Sequence, residues 1–136
     1  MFTGKIIPSA GDIGRRFNRM AAAIVRGADK GLGRWVIMAH RKALELLSGS
    51  FDSPSDSFPV ASITGNLRRL EGYVLPGRSK SGVSAKSGQA YVINTAIYAN
   101  VIHEKRPYAT TGVEETRKDG MAAISHDAGL AMMAVR

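Results

Sequence analysis

Residues 12–47 constrain the fold more than any other stretch, because a helical hydrophobic period runs through them without interruption. With Ile13 at zero and 100° per residue, Phe17, Met20, Ala21, Ile24, Ala28, Gly31, Leu32, Trp35, Met38, Ala39, Ala43 and Leu46 fall in one arc of about 140°. Arg15, Arg19, Arg26, Lys30, Arg34 and Arg41 fall opposite it. The pattern predicts one helix roughly 54 Å long, with an apolar stripe as core and a basic face for solvent or a partner. Gly27, Gly31 and Gly33 each cost about 1 kcal/mol against alanine in a helix interior. Gly31 lies in mid-stripe, so it either admits a second backbone at close range or marks a break into two helices. Ile37 and Leu44 interrupt the basic face, which predicts that the last turns are covered on both sides, by the rest of the chain or by a second subunit.

The remaining segments read as smaller pieces folded on that helix, within a single α+β domain spanning residues 1–136. Residues 1–8 form a short apolar arm with Phe2, Ile6 and Ile7, and Ser9 with Asp12 resembles a capping box. Residues 48–63, rich in Ser, Asp and Pro, read as a loop. Within the motif and hairpin region, residues 64–108, Thr64 caps a short helix over 65–70 and an extended segment follows over 72–75. Residues 89–95 are the best strand of the chain, rich in β-branched and aromatic residues. Pairing the two makes a hairpin whose long tip, residues 78–88, is basic and small and reads as a mobile loop. Trp35 is expected to be buried against this hairpin, on Tyr91 and Ile93. Residues 96–104 read as a short helix stopped by Lys105-Arg106-Pro107. Thr111 with Glu114 reads as a second capping box, opening a C-terminal helix over 111–135 with Met121, Ile124, Ala128, Ala131 and Val135 on one side.

Net charge is +8, and it is unevenly placed. Residues 1–50 carry nine basic and three acidic side chains, whereas residues 89–136 carry five of each. Such asymmetry is the footprint of a nucleic acid or an acidic protein surface as partner. No apolar run approaches the roughly 20 residues needed to span a membrane, so no membrane partner is expected. The absence of cysteine removes disulfides, thiolate chemistry and most zinc sites. His40, His103 and His126 lie in three different elements; His103-Glu104 begins like a zinc-protease helix, but Pro107 stands where the second histidine is needed. Gly31-Leu32-Gly33 is half of a dinucleotide fingerprint, without the preceding strand or the third glycine. No serine lies in a Gly-x-Ser-x-Gly turn. The sequence therefore predicts no enzyme and calls for no cofactor. Lys80 and Lys86 in the basic tip could meet phosphates or an acidic protein, yet no aromatic residue is interleaved there to stack on bases.

Two stretches carry a resemblance. Thr64-Gly65-Asn66-Leu67-Arg68-Arg69, followed some thirty residues later by Tyr98-Ala99 and residues 101–104 ending in Glu104, resembles the tail-completion proteins of long-tailed bacteriophages, also called head-tail joining or neck proteins. In that family a Thr-Gly-x-Leu-Arg motif precedes a strand pair, a Tyr-Ala-x-x-Val/Ile-x-Glu motif follows it, and a long amphipathic helix comes first. This chain continues from the glutamate into Lys105-Arg106-Pro107-Tyr108 where the family has Gly and Thr, so the turn there differs. The resemblance implies a structural virion protein, assembled in the host bacterial cytoplasm as a ring, a hexamer, between the head-connector and tail-tube proteins, with transient contact to packaged DNA. On that reading Thr64, Gly65, Arg68, Arg69, Tyr98 and Glu104 join Ile37, Leu44, Lys80 and Lys86 as candidate subunit or partner contacts. The alternative is a small basic nucleic-acid-binding module.

Overall fold

The computed structural model describes residues 10–48, 66–105 and 107–135. In chain order the elements are α1 (Ala10–Leu46), α2 (Asn66–Arg69), β1 (Glu71–Val74), β2 (Ser79–Lys80), β3 (Val83–Ser84), β4 (Tyr91–Asn94), α3 (Ala99–Lys105), α4 (Tyr108–Glu115) and α5 (Arg117–Met133). The fold is α+β: α1 and α5 pack together, and two small antiparallel sheets lie by α1. The apolar arm with Phe2, Ile6 and Ile7, the Ser9 cap and most of the 48–63 loop fall outside the described residues.

Helix α1 is continuous through its glycines, which settles the two readings of Gly31 in favour of close approach. A Cβ on Gly31 would stand 2.6 Å from the carbonyl oxygen of Ala123 and 2.7 Å from the amide nitrogen of Ile124. One on Gly27 would stand 2.8 Å from Ala128 Cα. One on Gly120 of α5 would fall on the indole ring of Trp35. The pairs run 35 with 120, 31 with 124 and 27 with 128, so α5 lies antiparallel on α1. Bare glycine surfaces let the two backbones nearly touch, and small Ala23 and Ala123 complete the buried seam.

This seam also decides which face of α5 turns inward. Of the expected inward row, Ile124, Ala128 and Ala131 meet α1 at Gly31 and Gly27, beside the buried Gly120, Ala123 and Asp127, whereas Met121 is half exposed. The expected single C-terminal helix is in fact two. Thr111 and Glu114 lie inside α4 rather than capping a helix, and the chain turns at Thr116. There the Thr116 hydroxyl donates to the Gly112 carbonyl at 2.7 Å and accepts from Trp35 Nε1 at 3.1 Å. The kink lets both Gly112 and Gly120 reach α1, since a Cβ on Gly112 would stand 2.8 Å from the Ala39 carbonyl oxygen.

Strands β1 and β4 pair, as the hairpin reading expects, and the register sets Gly72 opposite Ile93 and Tyr73 opposite Val92. Their side-chain parity differs from expectation. Ala90 and Val92 line the apolar cleft at Trp35 together with Leu32, Val36, Ala39 and Val113, whereas Tyr91 faces solvent. Because a strand alternates faces with period two, the contact with Trp35 falls on residues 90 and 92, not on 91 and 93. Trp35 is half-buried, anchored on Gly120 and Thr116 as much as on the sheet.

Candidate functional site

The two stretches that carry the family resemblance meet at the C-terminal end of α1. Leu67 from the first and Ala99 from the second share one buried cluster with Ala43, Leu47, Ala96 and Tyr108. Asn94, the last residue of β4, ties them by hydrogen bonds. Its Nδ2 donates to the Leu67 carbonyl at 2.6 Å and to Glu71 Oε2 at 2.7 Å, and its Oδ1 accepts from the Ala96 amide at 2.9 Å. One amide side chain thus joins the end of α2, the start of β1 and the entry to α3.

Glu71 is the electrostatic centre of this junction. It is only 8% exposed, and among the described residues its Oε1 has no hydrogen-bond partner. Burial pushes its carboxyl up to about 7, against which the Asn94 hydrogen bond acts weakly. Tyr108 lies in the same core; burial, and then the charge of Glu71, push its phenol up to about 12. His40 approaches from α1, with Nε2 3.4 Å from the Glu71 carbonyl oxygen and its ring edge-on to Tyr73 at 5.0 Å. Burial lowers the His40 pKa below its ordinary value. The junction can store or release a proton, and it holds neither a nucleophile beside a base nor, among the described residues, a group of three His, Asp or Glu able to grip a metal.

No protein-family model, curated protein or solved structure matches this chain. The site therefore rests on its own geometry. Thr64 and Gly65 fall outside the described residues. Arg68 and Arg69 end α2 with exposed side chains, Tyr98 is 41% exposed before α3, and Glu104 is exposed on α3. They lie around the junction that buries Leu67 and Ala99. Ile37 and Leu44 do not offer the exposed surface expected of them. Both are half-buried, within about 60° around α1 of Gly33 and His40, the side on which Leu75 and β1 pack. The same chain covers α1 on both sides: α5 and α4 on one, β1 on the other.

The 78–88 tip is likewise not the mobile loop its composition predicts. Ser81 at φ 53° and Gly82 at φ 80° form a two-residue turn with both residues left-handed, which matches the twist of an antiparallel ribbon, and β2 pairs with β3 across it. Gly77 and Arg78 pair with Ala85 through two backbone hydrogen bonds. Asp29 of α1 then clamps the base, accepting from Ser87 Oγ at 2.6 Å and from the Gly88 amide at 2.8 Å. Lys80 and Lys86 are exposed on this ordered ribbon. Replacing Asp29 by alanine removes two hydrogen bonds to a charged acceptor and is expected to cost about 1–3 kcal/mol. Amide exchange at Gly88 should accelerate in Asp29→Ala; unchanged protection there would show that the clamp is not what holds the ribbon.

Sequence reasoning passed over Glu71, Asn94, Asp29 and Asp127. Only Glu71 carried a signal, an acid at the start of an otherwise apolar extended segment. Asp127 is buried on α5, where Oδ1 accepts from Arg34 at 2.9 Å and lies 3.1 Å from His126 Nδ1. His126 first, then Arg34, hold its carboxyl below the usual range against the effect of burial. No helix among the described residues is long and apolar enough to cross a membrane.

Proposed function

We propose that this chain is a non-enzymatic structural protein of the neck or tail terminus of a long-tailed bacteriophage, forming a ring that joins the head connector to the tail tube. The single observation that carries the reading is the convergence of Leu67 and Ala99 in one buried cluster, clamped by Asn94. Two motifs some thirty residues apart thereby make one structural unit, with Arg68, Arg69, Tyr98 and Glu104 around its surface. A ring requires two different faces that meet head to tail, because one self-complementary patch closes at a dimer. Exposed apolar residues lie towards both ends of α1. Phe17 is 65% exposed and Ile13 43% in its first turns, while fully exposed Ile97 and half-exposed Tyr98 flank the junction near its last turns. These surfaces join the half-buried Ile37 and Leu44 as the subunit contacts of the reading.

The test uses particles made by the genome that encodes the chain. A labelled copy of the protein should be found at the head–tail junction by electron microscopy. Particles lacking Ile13 and Phe17 function, through Ile13→Asp with Phe17→Asp, should accumulate as heads and tails unjoined. Purified virions that contain none of the protein would overturn the reading.

A further inference from the structure

We infer that the face of α1 left uncovered among the described residues is a contact surface for the phosphate backbone of double-stranded DNA. The inference rests on the strip described next and not on the ring reading, so either can fail without the other. Around the α1 axis, α5 sits over Gly27 and Gly31, α4 over Ala39 and Ala43, and β1 with the ribbon base over Asp29, Gly33 and His40. By the 100° step, about 120° separate Gly33 on the β1 flank from Gly27 on the α5 flank, and that arc holds Arg19, Arg26, Lys30, Arg34 and Arg41 besides the buried Ala23 and the half-buried Ile37 and Leu44. All five basic residues are exposed. From Arg19 to Arg41 the strip is about 33 Å long at 1.5 Å per residue, close to one turn of duplex.

The strip is built to stay positive. Arg19, Arg26 and Arg41 have no ion pair among the described residues, and Arg34 engages Asp127, itself buried. The acid nearest the strip on the ribbon side, Asp29, is occupied by Ser87 and Gly88. Four arginines and one lysine suit phosphate oxygens, which guanidinium groups bind with forked hydrogen bonds. A protein partner of ordinary affinity would need a buried aromatic or aliphatic anchor at the centre of the patch, and the large apolar residues on this face, Ile37 and Leu44, are both half-buried on the side where β1 packs. Single strands call for aromatic platforms, and the strip offers none. What remains is sequence-independent contact with a duplex backbone, where the charge density is about one per 1.7 Å.

The experiment titrates salt against binding of the full chain to a labelled duplex of about 30 base pairs and arbitrary sequence. Binding should weaken with salt at a log–log slope of about −3 to −4, as expected for about four neutralised phosphates. Arg19→Glu, Arg26→Glu and Arg41→Glu together should weaken binding by at least about 30-fold and flatten the slope. Arg117→Glu and Lys118→Glu together reverse two charges on another surface and should weaken it by less than about 5-fold. The three strip arginines changed to glutamine give a milder variant that should lose the same slope if charge reversal disturbs folding. Equal losses in strip and control variants would overturn the inference, as would preference for single strands. Failure to bind duplex at low salt while binding poly-glutamate would also overturn it, and would assign the strip to an acidic protein surface.

Discussion

Replacing Gly31 by alanine is expected to lower the unfolding free energy by about 2–3 kcal/mol, even though alanine is the better helix former. Propensity alone would favour the change by about 1 kcal/mol. The added methyl group, however, would meet the Ala123 carbonyl oxygen at 2.6 Å and the Ile124 amide nitrogen at 2.7 Å, and both belong to the backbone of α5. Backbone inside a helix cannot rotate aside as a long side chain can. The helices must part, and parting them loosens contacts all along the seam, the overpacking cost that exceeds the propensity gain. Gly14 supplies the control, since it is exposed on the same helix and a Cβ there meets nothing within 4 Å. Gly14→Ala should raise stability by up to about 1 kcal/mol. Urea unfolding of the two variants reads both signs, and a Gly31→Ala protein as stable as Gly14→Ala would show that α1 and α5 are not in backbone contact.

The second large effect concerns Glu71. Its carboxyl is pushed up to about 7 in the folded chain, against an ordinary 4.5, so the native state holds the proton more tightly than the unfolded state. The sign follows directly. Below about pH 4.5 the group makes no difference; between 4.5 and 7 stability falls as pH rises; above 7 the full cost of the buried carboxylate stands. At 1.36 kcal/mol per pKa unit that cost is on the order of 3 kcal/mol. Glu71→Gln keeps an oxygen for the Asn94 Nδ2 and removes the charge, so it should unfold at higher urea than the wild type at pH 8 and match it near pH 4. His40, whose pKa is lowered, acts in the opposite direction over part of this range. The difference between wild type and Glu71→Gln at each pH removes that contribution. A constant difference from pH 4 to pH 8 would show that Glu71 is not buried as described.

The long helix was legible because its period is carried by many residues, so no single glycine could hide it. The strand pair was legible too, but neither its register nor its facing was, since a run such as Tyr91-Val92-Ile93 is apolar on both faces and parity then depends on what lies above it. The split between α4 and α5 escaped because it is a tertiary event: Thr116 turns the chain where Trp35, far away in sequence, reaches its hydroxyl. Ribbon order escaped for a similar reason. Composition described residues 78–88 correctly as small and basic, and the clamp that orders them comes from Asp29 on another element. The Leu67 and Ala99 junction was legible only as two separate stretches; Asn94 and Glu71, which join them, belong to no motif.

The glycine seam has a consequence for synthesis. Arg34 and its partner Asp127 are separated by 93 residues, and Gly31 meets Ile124 across the same interval. A ribosome adding roughly 5–20 residues per second therefore leaves the stripe of α1 without its main cover for on the order of 5–20 s. During that interval Leu32 and Trp35 are open to chaperones or to other nascent chains, and long-range pairing of this kind is intrinsically slow to form. Like charges along each emerging helix repel those of neighbouring copies throughout that interval.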